Sequence, residues 1–380
     1  MNPLAGLRFP VEHTRGRRFP ELPHPYRNEF QRDRDRIVHS RAFRRLENKT
    51  QVFTAGISDH FRNRLTHTIE VAQIARTVAA ALGLDEDLTE ALALVHDVRH
   101  PPFAHAGEEE LHRQMQRFGD RFDHNVHGLR VVDSFEQRYA RFPGLNLTFE
   151  VREGIVKHSR DLTPGADPEL EEYLPELRPP LEAQLIDLAD EIAYDTADLD
   201  DAYSAHMFTL EELRSAVPEF KAMHDEIEGQ FPGAPERVHF QEVVRALIDG
   251  LVSGLVTGTI ATAESAGVRD HEAVRHAADR LAAFTPDALQ TAQGLKAFLR
   301  DQVYFAEPLV SDRRKSAVLV AELFEYFLEE PDKLPENYVE EMHNQPLHRI
   351  VCDYIAGMTD GFFLRCYQQA NLLGAGQRPS

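Results

Sequence analysis

Cysteine is scarce in this chain of 380 residues, which contains only Cys352 and Cys366. Two cysteines cannot build a disulfide framework, and they cannot form a zinc site made of thiolates alone. We therefore expect both to be ordinary free cysteines in a protein that works in a reducing compartment.

An excess of positive charge is also lacking. The chain has 42 Lys and Arg against 63 Asp and Glu, which gives a formal charge of -21. A general nucleic-acid binder needs a basic face that displaces the counterions of the phosphates, so this composition argues against that class. The first 45 residues differ, with eleven Arg against five acidic residues. We expect this arm to contact the acidic body or another subunit, and the alternative is that some of its arginines bind phosphates.

Long apolar runs are the third absence. The N-terminus has no apolar core of signal-peptide length, and we find no stretch approaching the ~18 apolar residues that a membrane span needs. We therefore expect a cytoplasmic protein with no membrane partner. Its hydrophobic content of 42% is sufficient for a packed core. Since single cores stop growing at roughly 250–300 residues, the length fits one large helical domain or two medium ones.

Sustained alternation of apolar and polar residues is missing as well, so the sequence predicts an all-α fold. The clearest helix is predicted over 61–82, and Gly83 is a typical residue at a helix end. Its apolar stripe is expected to consist of Leu65, Ile69, Ala72, Ile74 or Ala75, Val78 and Leu82.

Helical spacing recurs along the rest of the chain, with a polar, proline-rich loop at 160–180. Further helices are predicted over 29–46, 85–97, from 104, 125–140, 149–158, 180–204, 210–229, 236–257, 270–283, 287–305, 311–329 and 343–371. The predicted divisions are an arginine-rich arm and helix (1–59), a core (60–205) and a helical C-terminal region that packs on the core (206–380).

Two histidines and two carboxylates are candidate metal ligands: His67, His96, Asp97 and Asp190. In the predicted helix around LIDLADEIAYDTADL, Asp190 points inward with the apolar stripe. A buried carboxylate must be paired or bind a cation, and imidazole with carboxylate suits a borderline divalent metal. Singly, each residue is more often a core or surface histidine or a partner of an arginine. Together, on three apolar helices, they indicate a metal site.

A second group of polar residues follows the first. His100, His105 and His124 occur within thirty residues of His96, and they are separated by a Pro-Pro turn. His105 and Glu108 are three residues apart on a predicted helix and are therefore neighbours. A carboxylate beside an imidazole fixes its tautomer and raises its basicity, as a general acid or base requires. The competing interpretation is a solvated helix face.

These residues lie in segments that resemble the bacterial deoxyguanosinetriphosphate triphosphohydrolases and their relatives in the HD superfamily. The resemblance covers nearly the whole chain. The segments that carry it are FQRDRDRIVHSRAFRRLENKTQVF (30–53), RLTHTIEVAQIAR (64–76), HDVRHPPFAHAGEEEL (96–111), FDHNVHGLRVV (122–132), ADEIAYDTADLDDA (189–202) and VCDYIAGMTDGF (351–362). A bare HD dipeptide is weak, whereas the HPPF-H-xx-E extension is highly specific.

The resemblance implies an HD-domain helical bundle with additional C-terminal helices, and it implies a role for each candidate residue. The expected ligands of one divalent ion (Mg, Mn, Fe, Co or Ni) are His67, His96, Asp97 and Asp190. The expected catalytic pair is His105 with Glu108 behind it. The expected substrate-binding residues are Arg64, His100, His124, Tyr194, Gln51 and Asp198.

The same resemblance implies metal-dependent hydrolysis of dGTP, or of deoxynucleoside triphosphates (dNTPs) more broadly, to deoxynucleoside and tripolyphosphate. Expected partners are the dNTP substrate, an activating second dNTP and further copies of the chain in a tetramer or hexamer. Two alternatives stay open. One is a phosphohydrolase acting on another nucleotide. The other is a nucleotide-sensing or nucleic-acid-binding protein with a vestigial site, which only the arginine-rich arm supports.

Three residues depart from the family pattern without removing a metal ligand. Arg99 and Val98 replace Gly and Leu of the HD-LG-H signature, and Ala197 stands where relatives often carry His. Glycine suits a backbone with positive φ. We therefore expect Arg99 either to strain that turn or to point a cation toward the phosphates.

Overall fold

The structure is a computed structural model that describes residues 3–51 and 61–370. Within those ranges it contains helices and isolated β-bridges but no strand, which confirms the all-α prediction. Residues 52 and 53, at the end of the first family segment, lie outside the described residues.

Seventeen α-helices occur in the described part of the chain. They are α1 (Glu29–His39), α2 (Arg41–Arg45), α3 (Arg64–Leu82), α4 (Glu86–Val95), α5 (Ala104–Gln116), α6 (His124–Arg130), α7 (Phe149–Val156), α8 (Leu181–Ser204), α9 (Leu210–Ala216), α10 (Pro218–Gln230), α11 (Glu236–Ser265), α12 (His271–Arg275), α13 (Pro286–Leu299), α14 (Glu307–Glu329), α15 (Glu336–Glu341), α16 (Leu347–Ala356) and α17 (Asp360–Gln369). Single π-helical turns, Val131–Phe135 and Arg300–Tyr304, extend α6 and α13.

Side-chain caps explain several helix ends. The Asp85 carboxylate accepts a hydrogen bond from the Leu88 N–H (2.9 Å) and starts α4 as predicted. Gly83, with φ of 86°, ends α3, because glycine adopts this left-handed conformation without steric cost. The predicted single helix 29–46 is wrong, since the Ser40 hydroxyl accepts from the Phe43 N–H (3.0 Å) and begins a new helix.

Other predicted helices are also divided. Pro218 starts α10 because it lacks an N–H and cannot continue α9. Thr359 caps α17 by accepting from the Phe362 N–H (3.2 Å), which divides the predicted helix 343–371. The predicted helix 270–283 is reduced to the five residues of α12, whereas α11 runs eight residues beyond its predicted end, to Ser265.

The predicted stripe of α3 is confirmed at Ala72, Ala75, Val78 and Leu82, which are buried, but it is wrong at Ile69, which is 53% exposed. Val71, which the stripe left out, is fully buried together with Ala75 and Val78. Steps of three and four residues connect these three positions, and one turn earlier the same line reaches His67, which is also buried. The sequence of α3 is apolar on more than one side, so the spacing alone did not identify the face that packs.

Contacts between Cα atoms divide the chain into two compact units, each assembled from three separate segments. The first unit comprises Met1–Val38, Thr66–His96 and Asn146–Ala306. The second unit comprises His39–Leu65, Asp97–Leu145 and Glu307–Ser380. The predicted divisions at 59 and 205 stay a prediction.

The first unit is built around α8, which packs against α4, α11 and α13. Its apolar side is fully buried, as Ile186, Ala189 and Ala193 show. This packing fixes the rotation of α8, and with it the direction of the polar residues that alternate with the apolar ones. The helix therefore serves as the support for Asp190.

The arginine-rich arm makes ion pairs within the first unit. Arg17 Nε donates to Glu29 (2.8 Å), and Arg17 Nη1 donates to the buried Asp33 (2.5 Å). Arg36 Nη2 binds Glu21 at 2.6 Å. Carboxylates of the same unit also pair with Arg8, Arg18, Arg27, Arg32 and Arg34. Three of these pairs, Arg8 with Asp85, Arg18 with Glu172 and Arg34 with Glu90, join the arm to the acidic body as expected, whereas the others lie within the first 45 residues.

Helix α11 has the length and hydropathy of a membrane span, because an 18-residue window within Glu236–Ala266 has a mean hydropathy of 1.5. The expectation that no such stretch exists is therefore wrong. The helix packs against α8, α10 and α13 of its own unit, and 44% of the window is buried. A core helix of a globular protein has the same properties, so this single helix is weak support for a membrane.

The second unit has a separate apolar core between α5, α14, α16 and α17. Its fully buried members include Leu111 of α5, Phe324 of α14 and Phe363 of α17. The C-terminal helices thus bury the inner side of the helix that carries His105. Cys352 is buried in this core as a free cysteine, as predicted.

Glu182, at the start of α8, provides a test of the packing in the first unit. Its Oε1 accepts from the backbone N–H of Phe9 (2.9 Å) and of Asp85 (3.0 Å), while Oε2 is buried without a hydrogen-bond partner in the described chain. Burial raises the pKa of Glu182 from 4.5 to about 7. As pH rises from 4.5 to 7, the unfolded chain loses this proton before the folded protein does, so the wild type loses stability over that window.

Glu182→Gln keeps both accepted hydrogen bonds and removes the titration. We expect it to raise the free energy of unfolding by about 3 kcal/mol at pH 8 but by less than about 1 kcal/mol at pH 5. Urea unfolding at the two pH values, with Glu12→Gln as an exposed control, measures the difference. An equal effect at both pH values would contradict the assignment.

Candidate functional site

The first unit brings three of the four predicted metal ligands together. His67 comes from the first turn of α3, His96 from the C-terminal end of α4, and Asp190 from α8. His67 Nε2 lies 2.8 Å from Asp190 Oδ1, and His96 Nε2 lies 3.6 Å from the same oxygen. Donor atoms of the three residues all lie within 4.8 Å of one another, a spacing that one metal ion could span.

The tautomer of His96 tests whether these residues fit a metal. His96 Nδ1 lies 2.6 Å from the carbonyl oxygen of Ala93, and only a protonated Nδ1 can donate to that oxygen. In the neutral ring, Nε2 then carries a lone pair, buried without a hydrogen-bond partner among the described residues. A lone pair facing a carboxylate oxygen is stabilised by a cation between them, so the residues fit a divalent ion.

Asp190 is less buried than the sequence predicts, since 28% of its side chain is exposed. Burial disfavours its ionised form, but the imidazoles of His96, His158 and His67, which face the carboxylate, outweigh that cost. Together they hold the pKa of Asp190 well below its usual range. The carboxylate is therefore ionised at neutral pH, as a metal ligand must be.

Sequence analysis missed His158, which follows α7 in the first unit. Its Nδ1 lies 3.0 Å from Asp187 Oδ1, and its Nε2 lies 3.7 Å from Asp190 Oδ2. Arg280 in turn binds Asp187. His158 therefore faces Asp190 Oδ2, whereas His67 and His96 face Oδ1. Residues outside the ligand set commonly orient metal ligands in this way. The only signal in the sequence was a histidine directly after an apolar helix.

The second unit holds Asp97, the fourth predicted ligand, which follows His96 directly in the chain. Arg64 Nη1 donates to Asp97 Oδ1 (2.7 Å), and His100 Nε2 lies 3.0 Å from the same oxygen. All three side chains are buried. Burial and the nearby Arg64 lower the pKa of His100 well below its usual value, so this imidazole is neutral.

Glu108 contacts the two other candidate histidines of this unit, His105 and His124. Its Oε1 forms a short hydrogen bond with His124 Nδ1, and its Oε2 lies 3.6 Å from His105 Nδ1. Hydrogen bonds from both imidazoles outweigh the effect of burial and hold the pKa of Glu108 far below its usual range. His105 is 66% exposed on its side chain, so its ring is open to a ligand. The structure therefore pairs Glu108 more closely with His124 than with the predicted catalytic residue.

The turn before His105 is strained. Phe103 (φ 61°) and Ala104 (φ 51°) both adopt the left-handed conformation, which costs about 1–2 kcal/mol per non-glycine residue. One turn into α5, a Cβ on Gly107 would lie 2.0 Å from the Pro102 carbonyl oxygen, so only glycine fits. The HPPF segment is thus a tight turn that sets the direction in which α5 begins.

Arg99 does not cause this strain, contrary to one of the two expectations for it. Its φ is not positive, and its buried guanidinium makes a short hydrogen bond to the Asn125 side chain. The charge of Arg99 contributes to lowering the pKa of both His100 and His124, after burial as the largest cause. Arg99 therefore helps to keep these two stacked rings (5.2 Å between centroids) neutral.

The predicted substrate-binding residues of α8 lie beside an aromatic residue that the sequence analysis missed. The Tyr304 hydroxyl donates to Asp198 Oδ2 (2.7 Å), and its ring centroid lies 5.8 Å from that of Tyr194. Asp198 is buried. Tyr304 ends the π-helical turn after α13, a local distortion that helical spacing does not predict.

Gln51 and Lys49 lie in the second unit. Gln51 Oε1 is buried without a hydrogen-bond partner in residues 3–51 and 61–370. The buried Lys49 donates from Nζ to the His100 carbonyl oxygen, and burial together with Arg64 lowers its pKa to about 7. Lys49 therefore anchors the backbone directly before the Pro-Pro turn, a role that the sequence did not indicate.

A second set of possible ligands, on α10, is less suited to a metal. His224 is buried, and Asp225 and Glu228 are exposed beside it. The Asp225 carboxylate already binds Lys221 (2.5 Å) and Arg214 (2.8 Å). Two cations at one carboxylate disfavour a third, so we assign no ion to this set.

Comparisons with known proteins point to the same chemistry. The chain matches the HD domain over residues 64–195 and a phosphohydrolase-associated domain over residues 282–369. It is 44% identical over 374 residues to a deoxyguanosinetriphosphate triphosphohydrolase-like protein of Azoarcus sp. (strain BH72), which covers 98% of this chain and 97% of that protein. Proteins with the same name from Geobacter metallireducens and Rhodopseudomonas palustris (strain BisB5) are 42% and 41% identical, over 95% and 97% of this chain and 93% and 96% of theirs.

Removing the Asp190 carboxylate tests the first-unit cluster. Asp190→Asn removes the negative charge of the carboxylate that faces His67 and His96, and we expect the affinity for Mn²⁺ to fall by roughly 100-fold or more. Titration calorimetry on metal-stripped protein measures this. Asp200→Asn, further along α8, should bind as the wild type does. Unchanged affinity in the Asp190 variant would show that the ion binds elsewhere.

Proposed function

The chain belongs to the family of deoxyguanosinetriphosphate triphosphohydrolase-like proteins, and from this premise we propose that it hydrolyses dNTPs to deoxynucleoside and tripolyphosphate. The HD-domain match supports a phosphohydrolase, and the names of its relatives support a nucleotide as its substrate. The observation that carries the proposal is the buried, unpartnered Nε2 of His96, which faces the ionised Asp190.

The proposed ligands of one divalent ion are His67, His96 and Asp190, with Asp97 as the fourth. Asp97 is included because it is the residue after His96 and because the HD domain match contains all four. Neutral imidazoles and carboxylates accept Mg, Mn, Fe, Co or Ni. When bound, the ion would polarise a phosphoryl oxygen and stabilise the charge that develops on it.

Positively charged and neutral donors of the second unit would bind the triphosphate. Arg64 lies one helical turn before His67 on α3, so its guanidinium can reach a phosphate of a nucleotide at the metal. The pKa values of His100 and His124 are lowered mainly by burial, which keeps both rings neutral. A neutral imidazole can donate one hydrogen bond to a phosphate oxygen. We assign both to the phosphate path.

Three further residues are assigned to the deoxynucleoside. Tyr194 would contact the triphosphate or sugar from α8, and Asp198 and Gln51 would accept the sugar hydroxyl. The buried acceptor atom of Gln51 supports this assignment, because an unpartnered oxygen gains a hydrogen bond when a hydroxyl binds.

His105 is the proposed proton-transfer residue. It is exposed, it lies at the start of α5, and Glu108 is close enough to orient its Nδ1 (3.6 Å). The free Nε2 of this ring would donate a proton to a reacting oxygen or accept one from the attacking water. The ionised Glu108 would stabilise the protonated ring, while its shorter bond to His124 holds the carboxylate in place.

We expect His105→Ala to lower turnover by at least about 100-fold, because a positioned general acid or base contributes that much, while metal affinity stays at the wild-type value. Steady-state assays with titration calorimetry on the same preparation measure both quantities. His112→Ala, on the same helix, is the matched control and should keep full activity. Unchanged product release by the His105 variant would refute its role.

The proposed reaction is tested by incubating the chain with each dNTP and several divalent ions, followed by chromatography of the products. We expect deoxynucleoside and intact tripolyphosphate, and no release after chelation of the metal. Release of pyrophosphate or orthophosphate, or hydrolysis of nucleoside monophosphates or a signalling nucleotide instead, would favour a different HD phosphohydrolase. Binding of dNTPs without turnover would favour a nucleotide sensor.

Three further parts of the proposal concern the protein in the cell. The chain is proposed to be cytoplasmic, to assemble as a tetramer or hexamer, and to bind a second dNTP as an activator. The ion pairs of the arginine-rich arm within the first unit leave little support for nucleic-acid binding.

A further inference from the structure

Helix α17 begins with Asp360, whose carboxylate accepts hydrogen bonds from two distant segments of the second unit. Asp360 Oδ1 accepts from the Phe103 N–H (3.0 Å). Asp360 Oδ2 accepts from both the N–H (2.9 Å) and the hydroxyl (2.5 Å) of Thr50. Phe103 is two residues before His105, and Thr50 is directly before Gln51. One side chain therefore joins the segments that carry two residues of the proposed site.

The Phe103 N–H needs such an acceptor. Phe103 is the N-cap residue of α5, no side chain of its own caps that helix, and its backbone is left-handed (φ 61°). A strained conformation persists only when its surroundings hold it in place. The hydrogen bond from Asp360 is one such restraint, and the packing of the Phe103 ring against Phe363 of α17 (5.0 Å between centroids) is another.

We propose that Asp360 is a positioning residue, which fixes the direction of His105 and the place of Gln51 through the backbone of Phe103 and Thr50. The inference rests on the proposed function for the roles of His105 and Gln51. It assigns to α17, within the phosphohydrolase-associated domain, a direct part in forming the site.

The chemistry of the three contacts requires a carboxylate. All three partners are donors, and ionised aspartate is an acceptor at both oxygens. Asparagine keeps one acceptor oxygen but presents an NH₂ group to donors at the other position. Asp360→Asn is therefore nearly isosteric, yet it must lose the contact with either the Phe103 N–H or the Thr50 N–H, while the Thr50 hydroxyl can reverse its role and accept.

Two measurements on the full-length metal-loaded chain test this proposal. In Asp360→Asn, hydrogen exchange read by mass spectrometry should become faster in peptides that cover Phe103 or Thr50. Turnover of the preferred dNTP, assayed well below the unfolding temperature, should fall about 10- to 100-fold, because a small misplacement of a catalytic group has effects of this size. Metal affinity should not change.

Glu136→Gln is the matched control for a loss of stability alone. Glu136 is a carboxylate of the same unit that accepts two backbone hydrogen bonds, from Arg41 N–H (3.0 Å) and Ala42 N–H (2.6 Å) at the start of α2. This variant also replaces one acceptor oxygen by an NH₂ group and loses one of these two contacts, but it should leave exchange at Phe103 and turnover near wild-type values.

The proposal is overturned if exchange at Phe103 and Thr50 is unchanged in Asp360→Asn, or if turnover stays within about twofold of the wild type. It is also overturned if Glu136→Gln lowers turnover as much. If the wild-type chain releases no tripolyphosphate, the proposed function fails instead, and the exchange measurement still decides whether Asp360 holds the turn.

Discussion

A carboxylate among imidazole rings stays ionised only if hydrogen bonds or positive charge compensate for its removal from water, and this constraint governs the first unit. Asp190 accepts from His67 and faces the Nε2 of His96 and of His158. Three separate segments must fold together to place these rings. The packing of α8 against α4, α11 and α13 therefore does more than fill a core, because it holds Asp190 of the proposed metal site in place.

A different constraint governs the second unit, where the backbone carries the strain. Phe103 and Ala104 adopt a conformation that neither residue prefers, and Gly107 allows α5 to pass close to the Pro102 carbonyl. Lys49 and Asp360 hold this segment from the two sides by hydrogen bonds to its backbone. Backbone strain of this kind is common at functional sites, where the surrounding contacts hold the strained residues in one conformation.

Much of the fold could be predicted from the sequence, because helical spacing and caps are local properties. Gly83 and Asp85 ended and started helices as expected. The errors had local causes too, since Ser40 can cap a helix as well as sit within one. Ile69 was assigned to the wrong face because a helix that is apolar on several sides does not show which side packs.

The sequence by itself determined the residue types of the site and their family, since HDVRHPPFAHAGE and its flanking segments are specific patterns. Only the tertiary structure decided which partners these residues have. Contacts such as those of His158 with Asp190, Tyr304 with Asp198 and Asp360 with Phe103 join positions that are 32, 106 and 257 residues apart. No local pattern encodes such pairs, because they depend on how buried faces of separate helices pack, and a single sequence does not record that packing.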